Sequence, residues 1–472
     1  RDAGNIVAGN SLQLDWKKIC PQENERGAFY EVYVCGNPPF LGANYRTNAQ
    51  NEDMDIVFQG FKKHRYLDYV SSFLWKGSQY INQHSSLAFV TTNSICQGEQ
   101  VAMLWPYIFD LDIKISFAYQ SFPWKNNAKT NAAVHVVIVG LEFNPEEKYI
   151  YKILDNSLQK LAAKNISPYL VEGSNSIVSS RSQPLCAVTP MTIGNKPTDG
   201  GNLLLSREEK DDLINRDHKI EKWLKTFMGA EEFLNGKERY CLWLVNAKDS
   251  DINSMPLVKE RVSKVREMRL GSKKLATQKI ASISHLFDQI RQPELGSYIL
   301  FPSVSSERRA YIPIGFISSD VIASNRNYLI PNGTLYEFGV LTSEMHNDWM
   351  RTVAGRLESR YSYTTTIVYN TFSWPDTTNT QRQSIEALAE EVLLIREDYP
   401  DKTLADLYDP DKMPAPLIAA HKALDAAVEK LYRDTPFRDT EERLTHLFGR
   451  YEKLIAKEKV GATAKKKTKR TK

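Results

Sequence analysis

The sequence predicts an α/β protein that begins with a parallel, doubly wound sheet, continues into a mixed α+β region and ends in a helical bundle. Ala132–Leu141 (AAVHVVIVGL) is a continuous apolar run with β-branched residues, which is typical of a strand covered on both faces. Tyr30–Cys35, Gln59–Gln83 and Leu87–Thr92 follow one another as strand, helix and strand, an order that favours parallel pairing. Residues 380–457 show amphipathic helical spacing.

The bulk composition limits the classes of function. The 472 residues are enough for roughly two to four domains. Hydrophobic residues make up 42% and charged residues 25%, as in ordinary soluble globular proteins. Neither a membrane-spanning apolar stretch nor the apolar core of a signal peptide is present in the sequence. The net charge of +4 is mild for a nucleic-acid-binding protein and identifies no partner by itself.

The cysteines and the other reactive residues argue against several kinds of site. The five cysteines are widely spaced and form no C-x-x-C pair, so neither a disulfide framework nor a zinc site is expected. A reducing cytoplasm is the predicted location. The sequence shows no nucleophile–base constellation and no metal-ligand motif such as H-E-x-x-H, so a hydrolase and a metal site are both disfavoured.

Residues 150–375 are rich in turns and alternate between strand and helix patterns. The predicted strands are Tyr240–Val245, Tyr298–Pro302, Tyr311–Phe316 and Thr365–Tyr369. The predicted helices are Arg207–Asn215 and Leu257–Leu270. The second helix carries four basic residues, Arg261, Lys264, Arg266 and Arg269. We favour a solvated helix face for them, with a phosphate-contacting face as the alternative.

The last part of the chain is predicted to be helical. Ser384–Asp398, Pro416–Tyr432 and Thr440–Lys457 each place apolar residues on one face, and prolines separate them. The chain then ends in AKKKTKRTK, a basic segment that we expect to be disordered. This tail is either a solubilising terminus or a segment attracted to DNA.

Gly36–Phe40 (GNPPF) is the segment most indicative of chemistry. It directly follows a predicted strand, at the position where open α/β sheets bind ligands. Pro38 and Pro39 fix the backbone after Asn37. The Asn37 carboxamide and a proline carbonyl could therefore both accept protons from an exocyclic amine, while Phe40 stacks on a flipped base. The alternative interpretation is an ordinary turn.

This loop resembles motif IV of the amino-methyltransferases, (D/N/S)PP(Y/F/W), in the version found in the adenine-N6 group. It is one of a series of segments in order along the chain: GNSLQLDW (Gly9–Trp16), GNPPFLG (Gly36–Gly42), TTNSICQGEQVAMLWP (Thr91–Pro106), FAYQSFPWKNNAKTNAAVHVVIVG (Phe117–Gly140), LFPSVSSERRAYIPIGF (Leu300–Phe316), LTSEMHNDWMRTVAGRLESRYSY (Leu341–Tyr363), VYNTFSWP (Val368–Pro375) and TLADLYDPDKMP (Thr403–Pro414). The whole series is similar to the MmeI-like, or YeeA-like, DNA methyltransferases.

The resemblance implies a site-specific DNA adenine N6-methyltransferase of a restriction-modification system, acting on double-stranded DNA with S-adenosyl-L-methionine as methyl donor. The sheet would then be a partial Rossmann-like methyltransferase sheet. The implied regions are 1–155, the end of the methyltransferase domain; 156–379, a target-recognition domain; 380–457, a helical domain; and 458–472, a disordered basic tail. Full-length restriction members of the family add an N-terminal nuclease.

The resemblance also implies roles for particular residues. The catalytic loop would consist of Asn37, Pro38, Pro39 and Phe40. Asn10 matches the polar residue of motif III, near the adenine and the cofactor. Phe122 or Trp124 matches the aromatic residue of motif VIII that packs on the flipped base, and core packing is the alternative. These aromatic residues precede Lys125, Asn126 and Asn127 in a polar segment that favours the functional interpretation.

One feature of the family is expected to be missing. The family binds S-adenosyl-L-methionine with a glycine-rich loop upstream of motif III, and only nine residues precede Asn10 here. Asp199-Gly200-Gly201 is a turn signal only. We therefore expect a truncated chain that lacks the main cofactor-binding loop and the nuclease, and whose partner would be an N-terminal half.

Glu358-Ser359-Arg360 is the predicted site of base reading. Arginine pairs with guanine through two hydrogen bonds and glutamate accepts from cytosine N4, so the two residues could read one C·G pair. In MmeI-like enzymes Glu-x-Arg looks like a determinant of cytosine on the read strand, and Lys-x-Asp of guanine. The alternative is a surface salt bridge. Further candidates for DNA contact, more to phosphate than to bases, are Ser305, Ser306, Arg308, Arg309 and Tyr311.

Two other interpretations stay open at this point. The chain could be a DNA sequence-recognition module, inactive alone, that complements a separate cofactor-binding half. It could also be the remnant of a broken gene.

His346 and His421 lie in helical patterns, and we expect them to be structural rather than catalytic.

Overall fold

The computed structural model describes residues 6–124, 134–154 and 157–470. Two compact units are each formed from segments that are not contiguous in sequence. The first unit contains Arg1–Leu185, Asp348–Ser373 and Phe437–Lys472, and the second contains Cys186–Asn347 and Trp374–Pro436. The chain therefore leaves the first unit twice and returns to it twice.

The secondary structure alternates between short strands and helices until the long C-terminal helices. The strands are β1 (Val32–Gly36), β2 (Ser85–Thr92), β3 (Lys114–Trp124), β4 (Val134–Glu142), β5 (Tyr149–Leu154), β6 (Ser157–Ala162), β7 (Thr192–Ile193), β8 (Leu204–Leu205), β9 (Leu224–Met228), β10 (Tyr240–Leu242), β11 (Ser297–Pro302), β12 (Val304–Ser305), β13 (Gly315–Ser318), β14 (Ile322–Ala323), β15 (Asn327–Pro331), β16 (Gly355–Leu357) and β17 (Arg360–Ser362). The α-helices are α1 (Trp16–Ile19), α2 (Asn48–Val57), α3 (Val70–Tyr80), α4 (Gly98–Phe109), α5 (Arg207–Arg216), α6 (Ala230–Asn235), α7 (Asp249–Asn253), α8 (Pro256–Leu270), α9 (Leu275–Lys279), α10 (Leu335–Thr342), α11 (Glu344–Val353), α12 (Asn379–Glu397), α13 (Leu404–Leu407), α14 (Ala415–Lys430) and α15 (Thr440–Arg470).

The first unit is built on a mixed sheet with strand order β1-β2-β4-β3-β5-β6. The predicted α/β class is confirmed, and β1 and β2 are parallel as expected. The expectation of an all-parallel sheet is wrong for β4, which is antiparallel to both β2 and β3. Parallel strands need a crossover of about a dozen residues or more. Only the nine residues between Trp124 and Val134 connect β3 to β4, so the two strands pair as a hairpin.

Helix α3 is shorter than the helix that the apolar spacing over Gln59–Gln83 predicts. Gly60 and Lys63 have φ angles of +89° and +63°, in the left-handed region, so the chain turns before the helix begins. Nearly all of α3 is buried, and it lies close to β2, where a Cβ on Gly77 would come within 2.9 Å of the Leu87 side chain. The glycine permits this close approach of helix and sheet.

The second unit contains two small sheets, with orders β14-β9-β10-β8 and β13-β11-β15-β7. The strands predicted around Tyr240–Val245 and Tyr298–Pro302 are confirmed as β10 and β11. The strand predicted at Tyr311–Phe316 is displaced along the chain to β13. The core beneath the first sheet includes Leu203, Leu242, Val258 and Val265, each fully or almost fully buried.

The prediction of a strand at Thr365–Tyr369 is wrong, because this segment is a π-helical turn of the first unit. The amide of Asn370 donates to the carbonyl of Thr365, at 2.9 Å. Three consecutive residues, Ile367, Val368 and Tyr369, are buried. A run of β-branched residues therefore serves as core in a helical conformation, since burial outweighs β-propensity.

Helix α8 confirms the predicted solvated face for Lys264 and Arg266, which are exposed, but not for Arg269. Arg269 has no exposed surface, and its guanidinium donates at 2.8–3.1 Å to the backbone carbonyls of Pro197, Thr198, Ile280, Ile283 and Leu286. Arg261 and Lys264 pair instead with Glu209 and Glu260, both at 2.7 Å. Arg269 is thus a structural residue that joins three backbone segments, and phosphate contact by it is also ruled out.

The three predicted C-terminal helices are confirmed as α12, α14 and α15. Helices α12 and α14 belong to the second unit, where Gly339 of α10 packs closely on α12. Helix α15 belongs to the first unit, where Phe448 stacks near Tyr169 and Trp349 at ring-centroid distances of 5.4 and 5.0 Å. It extends to Arg470, which differs from the disordered tail expected there, because alanine and lysine are good helix formers.

The buried histidines of the second unit are expected to make it sensitive to acid. Burial lowers the pKa of His346 and of His421 to about 3, so both are neutral in the folded state. An unfolded histidine titrates at about 6.5, so protonation favours the unfolded chain as the pH falls below that value. We expect each to remove on the order of 2 kcal/mol from the free energy of unfolding by pH 4.5.

Calorimetry between pH 7.5 and pH 4.5 tests this expectation. The His421→Gln variant should show a weaker pH dependence of the unfolding midpoint, since glutamine stays neutral and can still bond to the Tyr408 hydroxyl, which lies 2.9 Å from His421 Nε2. The exposed His218 provides the control variant His218→Gln, which should behave like the parent chain. Equal pH dependence in all three chains would contradict the prediction.

Candidate active site

The carboxyl ends of three strands meet at one edge of the sheet in the first unit. β4 is antiparallel to both β2 and β3, and β1 is parallel to β2, so β1, β2 and β3 run in the same direction. Val136 of β4 pairs with Thr92 on one side and with Phe122 on the other. The loop after β1, the end of β2 and the aromatic end of β3 therefore lie at the same edge.

The Asn37–Phe40 loop begins immediately after β1. Asn37 is exposed, Pro38 is buried, Pro39 is exposed and Phe40 is half-buried. Its neighbour across the sheet is Phe89, which pairs with Gly36. Among the residues that the structure describes, none exchanges a hydrogen bond with the Asn37 carboxamide. The carboxamide oxygen is thus available to a donor from a ligand, while the prolines restrict the backbone that carries it.

Asp68 anchors the far end of this loop. Its Oδ1 atom accepts hydrogen bonds from the amides of Leu41 at 3.0 Å and Val70 at 3.2 Å, and its Oδ2 atom accepts from the Thr92 hydroxyl at 3.3 Å. The Asp68 side chain is almost completely buried. Sequence reasoning missed this residue, although an aspartate just before an apolar helical run is a recognised helix-start signal.

Asn10 is held beside this anchor by a second carboxylate. Its amide nitrogen donates to both oxygens of Asp53, at 2.9 and 3.0 Å, and its Oδ1 accepts from the Leu12 amide at 3.0 Å. The hydroxyl of Tyr69 donates to the same carboxylate at 2.7 Å. Burial would raise the pKa of Asp53, but the hydrogen bonds from Tyr69, Gln13 and Asn10 outweigh it and lower that pKa. The Asn10 side chain is therefore engaged within the protein.

Phe122 and Trp124 stand at the end of β3 with both rings half-buried and their centroids 6.5 Å apart. The pairing of β3 with β4 is irregular between Tyr119 and Phe122, where three steps along β3 match two along β4. Such a bulge redirects the side chains that follow it and is common beside active sites. Lys125, Asn126 and Asn127, which prompted the functional interpretation of these aromatic residues, lie outside the described residues.

An apolar cavity of about 650 Å³ runs along β1, which is the terminal strand of its sheet. Its wall includes Leu14, Trp16, Val34, Asn37, Phe73 and Tyr80. Lys76 fixes one side of the cavity by donating to the carbonyls of Leu12 and Leu14, at 2.7 and 2.6 Å. None of the described residues in this wall is a carboxylate. The cavity therefore lacks the acidic side chain that commonly binds the ribose of a nucleoside cofactor.

Glu358 and Arg360 lie at the tip of the β16–β17 hairpin, which belongs to the same unit as the Asn37–Phe40 loop. Their side chains are 71% and 46% exposed, and they pair with each other at 2.8 Å. Glu358 has a φ angle of +60°, a left-handed conformation that is unfavourable for a residue with a Cβ. Strain of this kind is often retained at binding sites.

The other residues predicted to contact DNA occupy the second unit. Arg308 is exposed and pairs with Asp411, whereas Arg309 is half-buried and burial lowers its pKa. Tyr311 is 5% exposed, donates to Asp425 at 2.6 Å and stacks on His421 at a centroid distance of 4.1 Å. Tyr311 is thus a core residue here, which differs from the DNA contact expected. Ser305 is likewise buried and Ser306 is half-buried.

Two negative findings apply to the described part of the chain. Residues 6–124, 134–154 and 157–470 contain no group of three or more histidine, cysteine, aspartate or glutamate side chains placed to hold a metal ion. Within these same ranges, each helix is too short or too polar to cross a membrane.

Comparison with known proteins decides the family. Three family models match consecutive parts of the chain: the MmeI DNA-methyltransferase domain at residues 1–152, the MmeI target recognition domain at 172–376 and the MmeI C-terminal domain at 377–458. The chain belongs to the MmeI family. All three matches follow the order expected from the sequence motifs.

Two relatives of this MmeI-family chain are similar over nearly its whole length. DNA methyltransferase A of Bacillus subtilis (strain 168) is 42% identical over 453 residues, which is 96% of this chain and 51% of that protein. The type IIL restriction-modification enzyme MmeI, solved in complex with DNA, is 42% identical with a TM-score of 0.88, over 96% of this chain and 60% of that one. The chain thus spans about half the length of the curated relative.

Replacement of Asp68 by alanine is expected to loosen the Asn37–Phe40 loop. The substitution removes the acceptor of three hydrogen bonds, which should lower stability by about 1–3 kcal/mol. Hydrogen exchange of the amide of Leu41 should become faster, measured by mass spectrometry on peptides that cover residues 37–41. Asp110→Ala, which removes an exposed aspartate after α4, is the control. Unchanged exchange in Asp68→Ala would show that Asp68 does not anchor the loop.

Proposed function

We propose that this chain carries the catalytic loop and the target-reading hairpin of a site-specific DNA adenine N6-methyltransferase of a restriction-modification system. The observation that carries the proposal is the exposed Asn37 carboxamide, which no described residue engages, at the carboxyl end of β1. Membership of the MmeI family supports a DNA methyltransferase. The NPPF form of the loop supports adenine as the methylated base.

The chemistry proposed for this loop is polarisation of the adenine N6 amine. The nitrogen lone pair of adenine is delocalised into the ring, so N6 is a weak nucleophile. The Asn37 Oδ1 atom and the carbonyl of Pro38 would accept the two N6 protons, which favours a tetrahedral nitrogen with a localised lone pair. The exposed position of Asn37 and the rigid Pro38-Pro39 backbone support this role, because fixed acceptors need little reorganisation.

The aromatic residues at the same edge are proposed to hold the adenine outside the duplex. Flipping a base costs a few kcal/mol, which stacking on aromatic side chains can offset. Phe40 is half-buried in the loop, and Phe122 and Trp124 end β3. Asn10, held by Asp53, would support the loop from the side of α2 and α3 rather than contact the base directly.

S-adenosyl-L-methionine is the methyl donor that the family implies, and it would supply an electrophilic methyl group. The described residues do not complete a site for it, because no carboxylate stands in the wall of the cavity beside β1. We therefore assign to this chain only the binding and polarisation of the acceptor base.

Replacement of Asn37 by alanine tests the catalytic assignment. With the N-terminal half of a relative added to complete the cofactor site, methyl transfer from tritiated S-adenosyl-L-methionine to unmethylated genomic DNA should fall by at least about a hundredfold, the usual effect of losing one preorganised polar contact. Asn144→Ala is the matched control, because Asn144 is exposed at the opposite edge of the sheet. Activity that survives in Asn37→Ala at the parental level would refute the proposed role.

A second candidate function is a DNA sequence-recognition module that complements a separate cofactor-binding half. The observation that favours it is the outer edge of β1, where Tyr33 and Cys35 are exposed beside the apolar cavity. A terminal strand of this kind can pair with a further strand. DNA binding without methyl transfer, with transfer restored by an added N-terminal half of a relative, would support this candidate over an enzyme that acts alone.

We propose further that Glu358 and Arg360 read one C·G base pair. Their exposure at the tip of a short hairpin supports this role, since both side chains can exchange their mutual ion pair for base contacts. Arg308, exposed in the second unit, is proposed to contact a phosphate, as is Arg309. The more buried position of Arg309 makes it the weaker candidate.

Exchange of the reading pair tests the recognition proposal. The double variant Glu358→Lys, Arg360→Asp should prefer guanine over cytosine at one position, because each good base contact discriminates by about 1–3 kcal/mol. Sequencing of the methylated sites in genomic DNA, with the N-terminal half supplied if needed, measures the change. The charge exchange Glu260→Lys, Lys264→Glu on exposed α8 is the control. An unaltered site preference in the Glu358 and Arg360 variant would argue for the surface salt bridge.

A further inference from the structure

A second, polar cavity of about 230 Å³ lies in the first unit, away from the apolar cavity beside β1. It opens where α4 begins, next to the bulge of β3 and the segment that enters the β16–β17 hairpin. The side chains that matter for its chemistry are Gln97, Gln120, Ser121, Arg351, Thr352 and Arg356.

Gln97 is the first indication of a ligand in this cavity. It is the residue before α4 and only 8% exposed, and its side chain makes no capping hydrogen bond to the helix. Among the described residues, none exchanges a hydrogen bond with its carboxamide. The amide atoms themselves can be reached from the cavity that the side chain lines. A ligand in the cavity could therefore exchange hydrogen bonds with this amide.

The electrostatics of the cavity favour an anion. The first amides of the twelve-residue helix α4 have no acceptor inside the helix and make its N-terminus positive. Glu99, in the first turn, is exposed and is not part of the cavity wall. Gln120 is held in place at the bulge by donating to the Leu170 carbonyl at 2.8 Å.

Arg356 contributes a positive charge that no described carboxylate pairs with. Its guanidinium stacks on the ring of Tyr361 at 3.8 Å, and its Nε atom is buried without a hydrogen-bond partner among the described residues. Burial raises the pKa of the Cys96 thiol to about 12, and the charge of Arg356 opposes that rise. Arg351, by contrast, pairs with Asp348 at 3.0 Å. The cavity therefore offers about one net positive charge, which suits a monoanion.

The position of the cavity identifies the anion. Gln97 follows the end of β2, and Gln120 and Ser121 precede Phe122, so one side of the cavity adjoins the candidate active site. On its other side, a Cβ on Gly98 would lie 3.4 Å from the Cα atom of Gly355, the first residue of the reading hairpin. The cavity thus lies between the sheet edge next to Asn37 and the β16–β17 hairpin. All three belong to the first unit.

We propose that this cavity binds one phosphodiester group of the DNA strand, between the flipped adenine and the base pair read by the hairpin. The proposal rests on the proposed function, since it takes DNA as the substrate. The phosphodiester is a monoanion, as the charge of the cavity requires, and its two free oxygens can accept from the Gln97 amide and from the Arg356 guanidinium, whose residues both line the cavity. The contact carries no base information and fixes the spacing between reading and methylation.

The variant Gln97→Glu separates a binding role from a structural one. A carboxylate at this position lies at the positive end of α4 near Arg356, so the unfolding midpoint should stay the same or rise. Affinity for duplex DNA of any sequence should fall about tenfold, with the slope of log affinity against log salt smaller by about one. The exposed Gln59 provides the control Gln59→Glu, which adds the same charge elsewhere in the unit and should bind DNA like the parent chain. Arg356→Gln should reduce the same slope.

Fluorescence anisotropy at several salt concentrations, on the full chain, gives the result without any need for methyl transfer. Equal affinity and slope for Gln97→Glu and Gln59→Glu would overturn the proposal. If the unaltered chain does not bind duplex DNA, the proposed function fails. In that case, the unfolding midpoints of the parent chain and of Gln97→Glu are measured with and without inorganic phosphate at constant ionic strength. If phosphate raises the unfolding midpoint of the parent chain but not that of Gln97→Glu, free phosphate is the ligand and the phosphodiester proposal is overturned. If phosphate raises neither midpoint, the cavity does not bind an anion.

Discussion

The carboxylate of Asp68 is the interaction on which the candidate active site depends. It joins the end of the Asn37–Phe40 loop, the first turn of α3 and the end of β2 through Leu41, Val70 and Thr92. The next residue, Tyr69, reaches Asp53, which in turn holds Asn10. Asp68 and Tyr69, which are adjacent, therefore fix the Asn37–Phe40 loop and the segment around Asn10 relative to the sheet. This arrangement leaves the Asn37 carboxamide free while the backbone around it is rigid.

The antiparallel β4 gives the site its second wall. A purely parallel sheet would end all its strands at one level and follow each with a crossover. Here β3 and β4 continue past the end of β2 as a hairpin, since Trp124 pairs with Val134 two positions beyond the level of Thr92. The aromatic residues that are proposed to hold the base are thereby raised above the edge that carries Asn37. A single reversal of strand direction thus turns a flat edge into a cleft.

The sequence was sufficient for features that depend on local pattern and insufficient for those that depend on distant partners. The loop after β1 follows from a strand ended by glycine and two prolines, and α12 and α14 follow from their apolar spacing. The direction of β4 depends on pairing that its own residues do not encode. Arg269 looked like a solvated cation because its five carbonyl acceptors lie on other segments. The position of Asp68 before α3 indicates a helix start, but its bonds to Leu41 and Thr92, which are far from it in sequence, follow from no local pattern.

The interleaving of the two units has a consequence for how the protein is made. The strand before Asn37 and the strand that contains Phe122 leave the ribosome before the second unit, yet Tyr169 and Trp349 of the first unit pack on Phe448 of α15. Arg443 of α15 also pairs with the buried Asp348, at 2.7 Å. The unit synthesised first is therefore completed last, and the apolar surface around Tyr169 stays uncovered by α15 while the second unit is translated. Slow translation or early termination would expose that surface to chaperones and proteases.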